Sequence, residues 1–151
     1  MVTLNIVVAG YIVRGRKLLL VHHKKLNKWL PFGGHIEPNE TPDDALRREA
    51  KEELGENIEL EFMHYPEPRR GNNRQYASPF YQNVHHITQN HLHYCLFYLC
   101  KLKGKVQYNK NELKGFEWTS LGDLRNLNPP LNNGDLFTCL EAIRLMEKFK
   151  K

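Results

Sequence analysis

Runs of alternating or periodic hydrophobic residues divide the chain into strands and helices. The first two apolar runs are rich in Leu and β-branched residues, and the RGRK segment that separates them predicts a hairpin connection. Later runs alternate between apolar and polar positions, which is the period of a half-buried strand. On these patterns, strands are predicted at 4–13, 18–25, 58–65, 91–102 and near 115–119.

A helix is predicted between Thr41 and Gly55. Thr41 is a good N-cap, a proline follows it at the first helical position, and Gly55 is a natural helix stop. Apolar residues recur every four positions and should pack on the sheet. This stripe consists of Leu46, Ala50 and Leu54.

The remaining segments complete a single predicted domain over residues 1–151. Residues 26–40 are dense in Gly and Pro, and residues 66–90 are polar, so both predict loops. A turn of helix is expected at Ser120–Leu127, and a final amphipathic helix from about Asp135. Strands and helices without regular βαβ alternation predict an α+β fold, with a mixed sheet and helices packed on it.

Composition is that of a globular protein, with 40% hydrophobic and 26% charged residues. No apolar run reaches the roughly 20 residues that a membrane span needs, and the first residues lack the basic leader of a signal peptide. The cysteines Cys95, Cys100 and Cys139 form no metal-ligand pair, and we expect them to be small core residues in a reducing compartment, the cytoplasm.

The net charge of +5 raises the question of a nucleic-acid partner. The basic residues are scattered along the chain without a long basic run, so nucleic acid is not expected. A modest positive field instead suits a small anionic substrate.

Three carboxylates cluster on the helix that follows Thr41. Glu49, Glu52 and Glu53 stand at i, i+3 and i+4, so they share an arc of roughly a quarter turn. Like charges at this spacing repel, and the helix dipole disfavours them near the C-terminus. A divalent cation would reverse that balance, since Mg²⁺ prefers hard oxygen ligands. From the helix alone, a solvated acidic face is the plainer interpretation, because most charge runs are of that kind.

The surrounding residues form the frame G-x5-E-x7-R-E-A-x-E-E-x-G, which resembles the Nudix box. At ordinary residue frequencies, such a match arises by chance on the order of once in a million chains. Two bulky aliphatic positions of the box differ, since they hold Ala50 and Glu56 here. Asn39, where the family often has Gly, is tolerable because Asn also adopts the left-handed region. The matching residues are Gly34, Glu40, Arg48, Glu49, Glu52, Glu53 and Gly55.

This resemblance implies a Nudix α/β/α sandwich and Mg²⁺-dependent hydrolysis of a nucleoside diphosphate linked to another moiety, with Mn²⁺ as a substitute ion. It implies that Arg48, supported by Glu40, orients the glutamates. The general base is left open, in the order Glu52, Glu49 and Glu112. Glu112 is either a further acidic ligand or an exposed turn residue. The implied metal ligands are Glu49, Glu52, Glu53, the Gly34 carbonyl and Glu112.

Substrate recognition is assigned to the segment that follows the box. Arginines there can bind phosphate in a bidentate manner, and an aromatic ring can stack on a base, although solvated loop arginines are the plainer alternative. A zinc site built on the histidines lacks a complete ligand set. The partner is a small nucleoside diphosphate derivative, and a homodimer is compatible with the prediction. The candidate substrate-binding residues are Arg69, Arg70, Phe80, His91 and His93.

Three other functions are alternatives to Mg²⁺-dependent hydrolysis. A nucleotide-sensing module on the same fold usually loses box glutamates, and all of them are present here. An isomerase on this fold needs a cysteine before the box, and the first cysteine is Cys95. An RNA-binding protein is disfavoured by the scattered charge.

Overall fold

A computed structural model describes residues 1–63 and 76–149 of the chain. In this part of the chain, eight strands and two helices alternate irregularly, with a 3-10 turn at Leu124–Asn126. The helices are α1 (Pro42–Leu54) and α2 (Asn133–Lys148). The strands are β1 (Thr3–Arg14), β2 (Lys17–His23), β3 (Lys28–Leu30), β4 (Phe32–His35), β5 (Glu59–Phe62), β6 (Tyr81–Thr88), β7 (His91–Lys103) and β8 (Leu113–Ser120).

The strands form one mixed sheet centred on β1 and β7. These two strands run parallel along most of their length, and β1 also pairs antiparallel with β4 and β2. The other edge of β7 pairs antiparallel with β6 and then with β5, while β8 joins β2. The predicted α+β class with a mixed sheet is confirmed.

The two helices cover opposite faces of this sheet. Even-numbered residues of β1 and β7, such as Val8 and Tyr98, pack in one core cluster with Leu46 and Leu54 of α1. Odd-numbered residues, such as Tyr11, pack in a second cluster with α2. Strand side chains alternate between faces, so the two clusters are the two layers of an α/β/α sandwich.

Helix α1 begins and ends where its local chemistry predicts. The Thr41 hydroxyl accepts a hydrogen bond from the Asp44 backbone N–H at 3.2 Å, as an N-cap does. The helix ends at Leu54, and the N–H of Gly55 donates to the Lys51 carbonyl at 3.2 Å. The whole apolar stripe is buried. Because that stripe faces the sheet, the glutamates on the adjoining arc are brought to the sheet edge.

Two predicted loops contain strands. The Gly- and Pro-rich segment 26–40 includes β3 and β4, because these short segments complete the edges beside β2 and β1. The polar segment 66–90 includes β6, whose polar residues are tolerated because most of that strand is exposed. Residues 64–75, including the end of the predicted strand 58–65, lie outside the described residues.

Other local predictions agree with the structure. The two central residues of RGRK turn the chain between β1 and β2, and Asn39 has a φ of 64°. Ile58, which follows the atypical Glu56, is buried before β5. The three cysteines are free and buried, as predicted. Neither α1 nor α2 is long and apolar enough to cross a membrane.

Candidate active site

An acidic pocket of about 730 Å³ lies where α1, β4 and the turn before β8 meet. The turn is held there by the helix end, since the Asn109 N–H donates to the Glu53 carbonyl at 3.0 Å. The pocket therefore gathers all five predicted metal ligands, together with two lysines on its rim. Its lining includes Lys24, Lys25, Gly34, His35, Glu37, Arg48, Glu49, Glu52, Glu53 and Glu112.

Gly34 leaves room for the close approach of Glu49. A Cβ atom at Gly34 would lie 2.2 Å from Glu49 Oε1, which is far inside van der Waals contact. Gly34 lies opposite Val8 in the pairing of β4 with β1, so the backbone of β4 cannot retreat without breaking the sheet. The glycine thus allows a carboxylate to rest directly against the strand.

Arg48 joins the loop before α1 to the acidic face of that helix. Its guanidinium donates two hydrogen bonds to Glu40, at 2.8 and 3.0 Å, in the bidentate geometry of a strong ion pair. It also donates to Glu49 Oε1 at 2.8 Å, to Glu52 Oε2 at 3.3 Å and to the His35 carbonyl at 2.9 Å. These bonds lower the pKa of Glu40 and raise that of Arg48. One side chain therefore orients both the loop and two of the glutamates.

Glu53 is a buried carboxylate with an unpaired oxygen. Its side chain is 5% exposed, and Oε2 has no hydrogen-bond partner among the described residues. Burial, and next the charge of Glu49, raise the pKa of Glu53 to about 8, against a smaller opposing effect of the Gly33 N–H. An ionised buried carboxylate without a partner is unfavourable, so this position suits a bound cation.

The carboxylates of the acidic pocket are suitable ligands for a hard divalent ion. Burial raises the pKa of Glu49, and the neighbouring Glu52 and Glu112 add to that effect while Arg48 opposes it. Within residues 1–63 and 76–149, no three His, Cys, Asp or Glu side chains stand arranged to hold a metal ion. Arg48 donates hydrogen bonds to both Glu49 and Glu52. The carboxylate oxygens, including the Glu53 oxygen that has no partner in the described structure, are the ligand type that Mg²⁺ prefers.

Four histidines form a cluster beside the acidic pocket, on the α2 face of the sheet. The ring of His93 lies 4.9 Å from those of His35 and His91, and 5.8 Å from that of His85. Its Nε2 atom is buried and has no partner in the described structure, and burial, followed by these neighbours, lowers the pKa of His93. His91 Nε2 donates to Asn5 Oδ1 at 2.6 Å. His35 also lines the acidic pocket, so the histidine cluster adjoins the pocket at this residue.

The other predicted substrate residues have different surroundings. Phe80 is half-buried, and its ring packs edge-on against Tyr11 with centroids 5.2 Å apart. Arg69 and Arg70 lie outside the described residues. His91 and His93 thus do not line the acidic pocket, which the cluster contacts through His35, and Phe80 lies in the wall between sheet and α2.

Sequence reasoning missed His35 as a member of the cluster, whereas His85 had been grouped with His91 and His93 without a strand to place it. His35 was assigned to a loop, yet it belongs to β4 and lies opposite Val7 of β1. His85 was assigned to the long loop, yet it pairs with His93. If both segments had been assigned as strands, the alternation of side chains along a strand would have placed the His35 and His85 rings on the α2 face.

Comparison with known proteins gives matches over most of the chain. A family model described as the NUDIX domain matches residues 3–137. A solved hydrolase of the NUDIX family from Clostridium perfringens superposes with a TM-score of 0.78 at 30% identity, covering 94% of this chain and 97% of that one. The MutT NUDIX hydrolase from Burkholderia pseudomallei shares the fold, with a TM-score of 0.69 at 21% identity over 94% and 97% of the two chains.

A sequence relative has a more local match. The nucleoside triphosphatase NudI of Enterobacter sp. (strain 638) is 54% identical over 33 residues. That match covers 22% of this chain and 23% of the relative, so it extends over less than a quarter of either protein.

Proposed function

Because this chain belongs to the Nudix family of hydrolases, which act on nucleoside diphosphate derivatives in general, we propose that it cleaves the pyrophosphate bond of such a compound in a Mg²⁺-dependent reaction. Members of this family generally use divalent metals, and Mn²⁺ is proposed as a substitute ion. The observation that carries the proposal is the unpaired, buried oxygen of Glu53 within a pocket of acidic residues.

The proposed ligands are the oxygen atoms gathered around the acidic pocket. When bound, the cation supplies Lewis acidity and neutralises charge on the phosphates. Arg48 positions Glu49 and Glu52 through the bonds described above and is itself supported by Glu40. The proposed ligand set is Glu49, Glu52, Glu53, the Gly34 carbonyl and Glu112.

Glu52 is our first choice for the general base. It is the most exposed of the three helix glutamates and lines the pocket, so a water molecule can reach its carboxylate. A general base must lie within hydrogen-bond reach of the proton that it takes. Glu49 and then Glu112 are the alternatives, since both line the same pocket.

The substrate is proposed to enter along the histidine cluster. His93 has a buried ring nitrogen without a partner in the described structure, and Asn5 holds His91 beside it, so His91 is the member of this pair that we propose to contact a substrate oxygen. Phe80 can supply an apolar wall, and Arg69 and Arg70 remain candidates for phosphate contacts. Lys24 and Lys25 on the pocket rim offset the acidic residues and attract an anion.

The remaining assignments follow from this activity. We propose one hydrolase domain over residues 1–151, with its buried free cysteines in the reducing environment of the cytoplasm. Nucleoside triphosphates are the first substrates to test, since NudI is named for that activity.

The test is hydrolysis of nucleoside triphosphates, sugar nucleotides and dinucleotides with Mg²⁺, with Mn²⁺ and with EDTA. We expect metal-dependent turnover that falls about a thousandfold or more in Glu53→Gln, comparable to the loss of a key group that stabilises the transition state. Glu61→Gln, an exposed position on β5, is the matched control. Unchanged turnover in Glu53→Gln would contradict the mechanism. Binding without turnover of any substrate would support the nucleotide-sensing alternative instead.

A further inference from the structure

The turn before β8 (residues 107–112) is attached to the C-terminal end of helix α1 by two backbone hydrogen bonds. The last four carbonyls of an α-helix have no hydrogen-bond donor within the helix. The Gln107 N–H donates to the Leu54 carbonyl at 2.7 Å, and the next bond runs from the Asn109 N–H to the Glu53 carbonyl at 3.0 Å. The position of this turn therefore depends on the helix that carries the acidic cluster.

Asn109 makes three further hydrogen bonds within this part of the chain. Its carbonyl accepts from the N–H groups of Glu112 at 3.2 Å and Leu113 at 2.9 Å. Its side-chain Oδ1 accepts from the Asn111 N–H at 3.0 Å, and such a bond to the main chain two residues on fixes a turn. Because Lys110, Asn111 and Glu112 are exposed, hydrogen bonds rather than burial hold them in place.

The same turn is also attached to the chain just after β2. The Lys24 N–H donates to the Glu112 carbonyl at 2.9 Å, and Lys24 Nζ donates to the Lys110 carbonyl at 3.2 Å. Glu112 and Glu53 both line the acidic pocket. Asn109 connects these two acids, since its N–H binds the main chain of Glu53 while its carbonyl and side chain hold the residues up to Glu112.

We propose that Asn109 is a positioning residue, which holds Glu112 in the acidic pocket together with Glu53 so that both serve as ligands of a divalent cation. This inference rests on the proposed function, because it takes Glu112 as a metal ligand. A carboxylate that is already held in place loses less conformational freedom on binding an ion than one on a mobile turn. The Asn109 side chain therefore supports metal binding without being a ligand itself.

The test is the affinity of the substrate-free protein for Mn²⁺, measured by electron paramagnetic resonance of the free ion in titrations up to millimolar Mn²⁺. Asn109→Ala and Glu112→Gln should each raise the Kd about tenfold, as the loss of a group that supports a metal site does. The double variant should bind like Glu112→Gln alone, because Asn109 acts through Glu112. Asn126→Ala is the matched control, since Asn126 also bonds to a backbone atom, the Gly122 carbonyl, but does not line the pocket.

Circular dichroism will check that each variant is folded. Asn109→Ser keeps an oxygen that can accept from the Asn111 N–H, so it should recover much of the Mn²⁺ affinity, and it replaces Asn109→Ala in the double variant if the alanine variant does not fold. Wild-type affinity in Asn109→Ala, or a double variant that binds more weakly than Glu112→Gln, would overturn the proposal while leaving the proposed function intact. A wild-type chain that binds no Mn²⁺ would overturn both.

Discussion

Replacing Glu53 by glutamine should make the metal-free protein more stable at neutral and alkaline pH. Glu53 is buried, one of its oxygens is unpaired, and Glu49, Glu52 and Glu112 all oppose its ionisation. Glutamine has nearly the same shape and cannot ionise, so it removes that opposition while still accepting from the Gly33 N–H. A substitution expected to abolish activity should therefore increase stability.

The size of the effect follows from the displaced pKa. Glu53 has a pKa of about 8 in the folded protein against an ordinary value of 4.5. Because the folded pKa is the higher one, the native state binds more protons between these values. The contribution of Glu53 to stability is then fully present below pH 4.5 and is lost as pH rises from 4.5 through 8. At 1.36 kcal/mol per pKa unit, the loss at pH 7 is about 3 kcal/mol.

The assay is urea unfolding in EDTA between pH 5 and pH 8, with Glu61→Gln as the control. Wild type and control should lose stability with rising pH, whereas Glu53→Gln should lose about 3 kcal/mol less by pH 7. Added Mg²⁺ should restore wild-type stability at high pH, because a ligand that binds the native state stabilises it. Parallel pH profiles for wild type and Glu53→Gln would refute the reasoning from burial and repulsion.

Three further predictions concern the surrounding residues. Gly34→Ala keeps the backbone carbonyl but displaces Glu49, so steady-state kinetics should show a fall in kcat of about tenfold or more with the fold retained. An unchanged kcat would show that Glu49 need not lie against the strand. Arg48→Lys retains the charge but loses the paired hydrogen bonds to Glu40, so the free energy of unfolding measured in urea should fall by about 2 kcal/mol. A fall of less than about 0.5 kcal/mol would contradict this prediction. His93→Leu should raise KM about tenfold with little change in kcat, and a fall in kcat alone would assign His93 to the chemical step instead.

The sequence could predict helix α1 and the acidic pocket because their determinants are local. An N-cap, a helix stop and an apolar stripe lie within one short segment, and the glutamates follow from helix geometry. Arg48 was expected to hold Glu40 and the glutamates, and the structure shows these contacts.

The edges of the sheet could not be predicted in the same way. Strands β3, β4 and β6 are short or polar, and they are strands because β2, β1 and β7 offer pairing partners distant in sequence. Such pairing leaves little trace in local composition, since β-propensity depends on the neighbouring strands. His35 was missed for the same reason, because its ring lies on a strand that was interpreted as a loop.

The position of Arg48 affects how tightly a metal ion binds and how quickly it dissociates. Its guanidinium partly neutralises Glu49 and Glu52, so the pocket carries its own counter-ion. Under the proposed function, an incoming cation must compete with this internal partner for the same oxygens, and part of its binding free energy is lost to that exchange. We therefore expect weak binding and fast exchange of the ion, which would let it leave together with the cleaved phosphate rather than hold the product in place.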